Sequence, residues 1–399
     1  MSESNQLSEY TPRVYFPNLN GLRFIAALLV IIHHIEQFKS IYGIQNNWQS
    51  GVIQILGEQG VSLFFVLSGF LITYLLLEEE KQTGTIKLKD FYIRRILRIW
   101  PLYFFIGFLA LVVLPQFPMM IIPGYELDFV YRHIQTKMIL FLLFLPNLMP
   151  YLGGIIPYAS QTWSIGTEEQ FYLVWPLLMK NIKKHRVALM LLIIAGYILT
   201  ARALWSSHTD FLPFKYYISG YWSLFNIDLM AIGGLLAILL HTENKFLKYI
   251  RNNFAFYVSL IVVLYMFKQA VMIEHIYKET YAVLYGIIIL NFASNPKIHF
   301  NLEARSFNYL GKISYGLYMY HPIALVLTVL LAKWTGLITN IFIYPVGILL
   351  TIVLAGLSYR YFETFFLKLK RRYSTVQSGD TVSAESKKAV QLKSLSFDQ

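Results

Sequence analysis

The chain has 399 residues, of which 56% are hydrophobic, 17% aromatic and only 14% charged, with a net charge of +12 and no cysteine. About a quarter of a soluble domain is charged, so this balance and the mean hydropathy of +0.50 point to a core built in lipid. The missing cysteines exclude disulfides, thiolate metal sites and a cysteine acyl relay. The Lys and Arg gathered in short loops read as a topological bias, not as a nucleic-acid surface.

Residues 1–18 are polar and contain acidic groups, which does not fit a cleavable signal peptide. Apolar runs follow at Leu19–Phe38, Gly60–Leu77, Ile99–Leu114, Met138–Met149, Trp163–Met179, Val187–Leu204, Leu224–Leu240, Phe254–Ala270, Tyr281–Ala293, Ile313–Ala332 and Ile341–Tyr361. The stretches Lys81–Arg98, Lys180–Arg186, Lys245–Arg251, Lys297–Lys312 and Lys368–Arg372 are basic and are expected on the cytoplasmic side. If every run crosses, Lys180–Arg186 falls outside. Met138–Met149 is only a dozen residues long and is followed by Pro150, with Pro146 inside it, so it is expected to be re-entrant. That choice returns every basic loop to the inside. The expectation is an all-α polytopic membrane protein with ten transmembrane helices, one re-entrant segment and both termini cytoplasmic. Residues 1–372 form its single membrane domain. Residues 373–399, polar and Ser-rich, are expected to be a disordered cytoplasmic tail.

Several ionisable groups fall inside these runs. Arg23 and His34 are eleven residues apart, which on a helix brings them within about 20° of one face and about 16 Å apart along the axis. His33 points about 80° away. Snorkelling of Arg23 and interfacial histidines would be the plain explanation; against it, ionisable groups within a span are costly and functional by default. Glu168 and Glu169 lie about 8–9 Å below the outer end of their helix, and His34 about 6 Å below the outer end of its own. At matching depth, a carboxylate is expected to orient the imidazole while His34 acts as general base. The plain alternative is one glutamate capping the helix and the other facing water.

Arg94, Arg95 and Arg98 sit at the inner surface, and their forked guanidiniums suit phosphates. A topogenic loop touching lipid headgroups is the competing explanation. Ser62, Ser68 and Gly69 within one span read most simply as close helix packing. Ser314, Tyr318 and His321 form one helical stripe, which lines a cavity or a partner helix. Pro322 after His321 permits a kink. Asp228 is a further intramembrane acid whose role stays open.

In order along the chain stand Asn20-Gly-Leu-Arg23 with ten residues to His34, Gly60-Val-Ser-Leu-Phe-Phe-Val-Leu-Ser-Gly-Phe-Leu-Ile72, Arg94-Arg95-Ile-Leu-Arg98-Ile-Trp-Pro-Leu-Tyr103, Trp163-Ser-Ile-Gly-Thr-Glu168-Glu-Gln-Phe-Tyr172 and Ile313-Ser-Tyr-Gly-Leu-Tyr-Met-Tyr-His-Pro322. This set resembles the acyltransferase-3 family of membrane O-acyltransferases over roughly residues 17–366. The resemblance implies a ten-span fold in a bacterial cytoplasmic membrane, an acyl-CoA donor (usually acetyl-CoA) and a cell-surface glycan acceptor. It implies that Arg23 and His34 are essential. The expected site is then Arg23, His34 and Glu168 for catalysis, Arg94, Arg95 and Arg98 for the donor, and Glu169, Ser314, Tyr318 and His321 for the acceptor, with no metal. Two departures stand out. Ser62 occupies a position where many members have Asp, and Gly166-Thr167 replaces a usual Ser-Val. Some members append an extracytoplasmic hydrolase-like domain; the tail here is too short for one, so such a partner is expected as a separate chain. Acylation of a lipid or small molecule, and a transporter without chemistry, are the competing functions. Broken helices in corresponding halves would favour the transporter; an arginine cluster aligned with a histidine favours acyl transfer.

Overall fold

The computed structural model describes residues 13–271 and 276–378. In lipid every backbone N–H and C=O must be satisfied within its own segment, and helix covers each of the ten runs expected to cross. The helices are α1 (Leu19–Ile41), α2 (Gly51–Thr83), α3 (Leu88–Phe108), the short α4 (Ile134–Leu142), α5 (Thr162–Asn181), α6 (Arg186–Trp205), α7 (Lys215–Phe225), α8 (Ile227–His241), α9 (Asn253–Lys268), α10 (Tyr277–Ser294), α11 (Arg305–Lys312), α12 (Ser314–Thr335), α13 (Asn340–Ser358) and α14 (Thr364–Arg371). Among the described residues, seven helical stretches are long and apolar enough to cross a membrane: α1, α2, α3 extended to Gln116, α6, α7 with α8, α12, and α13 with α14. The protein is an integral membrane protein of all-α class. The seven do not by themselves establish the expected ten; α5, α9 and α10 are shorter or more polar.

Three boundaries differ from expectation. α3 begins at Leu88, not Ile99, with Asp90 in its first turn where an acid favours the helix dipole. The arginines are therefore inside the helix, and Pro101 is interior to it. The Leu224–Leu240 run breaks at Asn226, whose φ of 40° ends α7 and starts α8. The Met138–Met149 run does not form a crossing helix. α4 has nine residues, about 13 Å of helix, and the chain turns at Phe144 with φ of 56°. It packs into the bundle, with the Phe141 ring stacked 4.2 Å from that of Tyr103 on α3 and Pro146 set against Gly166 on α5.

The basic stretches meet at one end of the bundle. Consecutive glutamates at the end of α2 reach four residues there: Glu78 the His241 ring at 3.3 Å, Glu79 Arg94 at 3.0 Å, and Glu80 both Lys183 at 2.8 Å and Arg186 at 2.6 Å. Arg94 also donates to the Tyr373 carbonyl at 2.7 Å, and Asn253 to the Lys297 carbonyl at 3.2 Å. Glu303 and the Asn18 backbone join the Lys297–Lys312 stretch to the start of α1 at 2.6 Å. A two-residue parallel strand pair, Arg13–Val14 with Gln377–Ser378, ties the two ends of the described chain together. Of the tail expected from residue 373, the part beyond 378 lies outside the described residues.

α2 is the central helix, packed against α1, α8 and α10. Its small residues explain how close α8 comes. A Cβ at Gly69 would lie 2.0 Å from the Met230 carbonyl oxygen, and one at Gly233 would lie 2.1 Å from that of Val66. Small residues permit such backbone approach in lipid-embedded bundles. Gly69→Val forces the two backbones apart, and overpacking of this kind costs about 1–3 kcal/mol or more. The expected result is a thermal unfolding midpoint lowered by several degrees or a protein that fails to accumulate. Gly196→Ala on α6, where a Cβ meets nothing within 4 Å, is expected to leave the midpoint unchanged or raised. Equal midpoints for the two variants would contradict this packing.

Candidate active site

A cavity with a volume of about 170 Å³ lies between α1, α2, α3, α5 and α12. Its wall carries four cations, Arg23, Arg95, Arg98 and Lys370, against one carboxylate, Glu168. Phe91 and Tyr172 flank the Arg95 guanidinium, with its carbon 5.6 Å and 5.4 Å from their ring centroids. Such stacking holds a guanidinium flat while leaving N–H groups for an anion. The Arg95 Nε is buried without a hydrogen-bond partner. Tyr172 donates to the Glu168 carboxylate at 3.0 Å and lies 2.6 Å from the Ser68 hydroxyl. Arg95 and Arg23 both interact electrostatically with Glu168. The far wall is polar: Ser164 and Tyr318 share a hydrogen bond of 2.8 Å, and Tyr318 also donates to the Gln161 carbonyl at 3.0 Å.

Beyond Tyr318 stand three histidines. The α1 face bearing Arg23 and His34 meets the α12 stripe of Ser314, Tyr318 and His321. Arg23, Ser314 and Tyr318 open on the cavity, and the His34 and His321 rings lie 4.6 Å apart. Each ring is held by a backbone carbonyl through Nδ1: His34 by Val30 at 2.8 Å and His321 by Tyr318 at 2.7 Å. His33 faces α2, bonded to the Ile53 carbonyl at 2.8 Å and packed on Gly57 and Trp48. A carbonyl can only accept, so Nδ1–H is the donor in each case and Nε2 carries the lone pair. His34 thus presents a basic nitrogen in a defined tautomer, as a general base requires.

The structure separates residues that the sequence grouped together. Glu168 shares its depth with Arg23 and Arg95, not with His34. The first turn of α5 lies beside Tyr318, which Ser164 meets at 2.8 Å, because residues 134–161 pack into the bundle before α5 starts. The carbonyl of Val30 holds the imidazole where a carboxylate was expected. Glu169 accepts from the Trp100 indole at 3.1 Å and is not part of the cavity wall. Arg94 faces Glu79 and a small adjoining cavity, while Arg95 and Arg98 line the large one. Ser62 bonds the Glu58 carbonyl of its own helix at 2.9 Å. Ser68, expected to be a packing residue, instead faces the cavity. Tyr172, Ser164 and Lys370 were not singled out. Their apolar surroundings or distance along the chain conceal them, although Tyr172 lies one helical turn after Glu168. Asp228 is buried in the first turn of α8 beside Glu279 of α10, away from the cavity.

The bundle thus sets a cavity lined by four cations next to a carbonyl-anchored histidine pair. Residues 16–360 match the family described as acyltransferase domain, and the chain belongs to that family. It is similar to a Staphylococcus aureus (strain COL) protein named "Putative O-acetyltransferase", with 29% identity over 402 residues, covering 92% of this chain and 60% of the relative. It is 25% identical over 374 residues to the peptidoglycan O-acetyltransferase OatA of Listeria monocytogenes, covering 88% of this chain and 56% of that protein. The O-acetyltransferase OatA of Staphylococcus aureus is 27% identical over 383 residues, with 89% of this chain and 57% of that protein covered. The chain thus spans somewhat over half the length of the curated relatives it matches. No solved structure matches.

Proposed function

We propose that the protein is a membrane O-acyltransferase that moves an acetyl group from acetyl-CoA to a hydroxyl of a cell-surface glycan, peptidoglycan or a related polysaccharide. The observation that carries this reading is the cavity wall, with four cations against one carboxylate, next to His34 with its free Nε2. The acetyl group and the peptidoglycan acceptor follow the name of one relative, and acetyl-CoA is the donor that the family resemblance implies. Arg95 and Arg98 hold phosphates of coenzyme A, and the pantetheine arm runs past Arg23 and Glu168 toward Tyr318. The acceptor oxygen attacks the thioester carbonyl, forming the C–O bond as the C–S bond breaks. His34 takes the hydroxyl proton and returns it to the coenzyme A sulfur, which leaves an ester and a free thiol. Incubation of purified protein with radiolabelled acetyl-CoA and peptidoglycan fragments is expected to give a base-labile labelled glycan. A protein that binds coenzyme A but labels no glycan would overturn the acceptor assignment.

In this reading the chain crosses the bacterial cytoplasmic membrane ten times, with both termini and the basic end in the cytoplasm, where acyl-CoA resides. Because the protein has no native cysteine, Lys183→Cys introduces a single thiol beside Glu80. A membrane-impermeant maleimide is expected to leave it unlabelled in intact cells and to label it after permeabilisation. Labelling from outside intact cells would sink the topology.

A further inference from the structure

His321 is enclosed, with 0% exposure, and its Nε2 has no hydrogen-bond partner. Its Nδ1 hydrogen is committed to the Tyr318 carbonyl, so Nε2 is a buried acceptor and not a donor. The adjoining His34 is in the same tautomer, so the pair presents acceptor nitrogens and no N–H between them. Gln161 adds another acceptor. Its amide nitrogen lies 2.9 Å from each of the Tyr158 and Met319 carbonyls. Those two acceptors fix the orientation of the amide and leave its Oε1 buried and unpartnered. Met319 is two residues before His321 on α12. The Tyr318 hydroxyl nearby is already engaged by Ser164 and the Gln161 carbonyl. Buried polar atoms in native proteins are satisfied, and an unsatisfied buried acceptor such as His321 Nε2 is complementary to a hydrogen-bond donor on a ligand.

We infer that His321 Nε2 is an acceptor-recognition point: it takes a hydrogen bond from the hydroxyl next to the one that His34 deprotonates. The acyl acceptor is then recognised as a polyhydroxylated molecule, through at least two adjacent hydroxyls, and not as a lone alcohol. This deepens the acyl-transfer reading and rests on it. A site built to pair with a substrate hydroxyl rejects an analogue lacking it far more strongly than an apolar pocket does, because its own polar atom is left unpaired.

The test uses the full chain in lipid nanodiscs with acetyl-CoA, and glycerol and 1-propanol as probe acceptors. The wild-type protein is expected to prefer glycerol by about tenfold or more in kcat/KM. His321→Ala is expected to bring that ratio close to one. His321→Gln, whose amide oxygen can reach the position of Nε2, is expected to recover part of it. An unaltered ratio in His321→Ala overturns the inference, as does a ratio in His321→Gln no higher than in His321→Ala, which would assign the loss to packing. If His321→Ala does not fold, the wild-type and His321→Gln ratios decide, and a wild-type protein with no preference for glycerol overturns it. Transfer to both alcohols without preference defeats this inference alone, whereas no transfer to any alcohol or glycan defeats the acyl-transfer reading with it.

Discussion

His34→Ala is expected to lower acetyl transfer by about 10²–10⁴-fold, the range of a positioned general base, while coenzyme A still binds. A sugar hydroxyl is a poor nucleophile near neutral pH, so a positioned base assists its attack. The Val30 carbonyl fixes which nitrogen is free, and the guanidiniums assigned to the phosphates line a cavity that does not include the ring. Binding and chemistry are therefore separable in this variant. His33→Ala is expected to be milder, since that ring is bonded to Ile53 and packed on α2. Turnover and coenzyme A affinity, measured on the same purified preparations, check both statements. Near-normal turnover in His34→Ala alongside its loss in His33→Ala would move the base to the other face of α1.

The second large effect is expected at α3. Replacing Arg95 and Arg98 together with Gln removes two cations from the cavity wall. Hydrogen bonds to charged groups contribute about 1.5–3 kcal/mol each, and each 1.4 kcal/mol is tenfold in affinity. Coenzyme A binding is therefore expected to weaken by about 10²-fold or more. Arg94→Gln is expected to lower thermal stability and leave that affinity unchanged. Its guanidinium holds Glu79, whose side chain is 2% exposed, and stranding a buried carboxylate costs on the order of 3 kcal/mol. Calorimetric titration with coenzyme A and thermal unfolding of the two variants distinguish these roles. Unchanged affinity in the double variant would leave Arg95 and Arg98 as determinants of topology only.

The helices were legible because lipid leaves the backbone few alternatives, and the shared face of Arg23 and His34 follows from the helical repeat alone. The division of labour among the arginines was not legible. Residues 94 and 98 stand one turn apart and look equivalent on a helical wheel, but Glu79 pairs with the first and Glu363 interacts with the second. The depth of Glu168 was also hidden. It depends on how far residues 134–161 dip into the bundle, which is decided by contacts such as Phe141 on Tyr103 and Pro146 on Gly166 and not by any periodicity. Lys370 reaches the cavity from the far end of the chain, and no local pattern could connect it with Arg23. The imidazole orienter could not be found by searching for carboxylates, because the group in that place belongs to the backbone.

The three glutamates closing α2 also bear on biogenesis. Residues 78, 79 and 80 fan around the helix at about 100° per step, so each addresses a different neighbour. Their partners leave the ribosome in sequence: Arg94 first, then Lys183 and Arg186, and His241 last. α2 is inserted before any of them and waits with its carboxylates at the water-facing end of the helix. Synthesis order therefore sets the order in which these contacts close, and α8 cannot dock fully until most of the other helices of the site have been made. A chain arrested before His241 leaves Glu78 with Gln82 of its own helix, 2.7 Å away, as its partner.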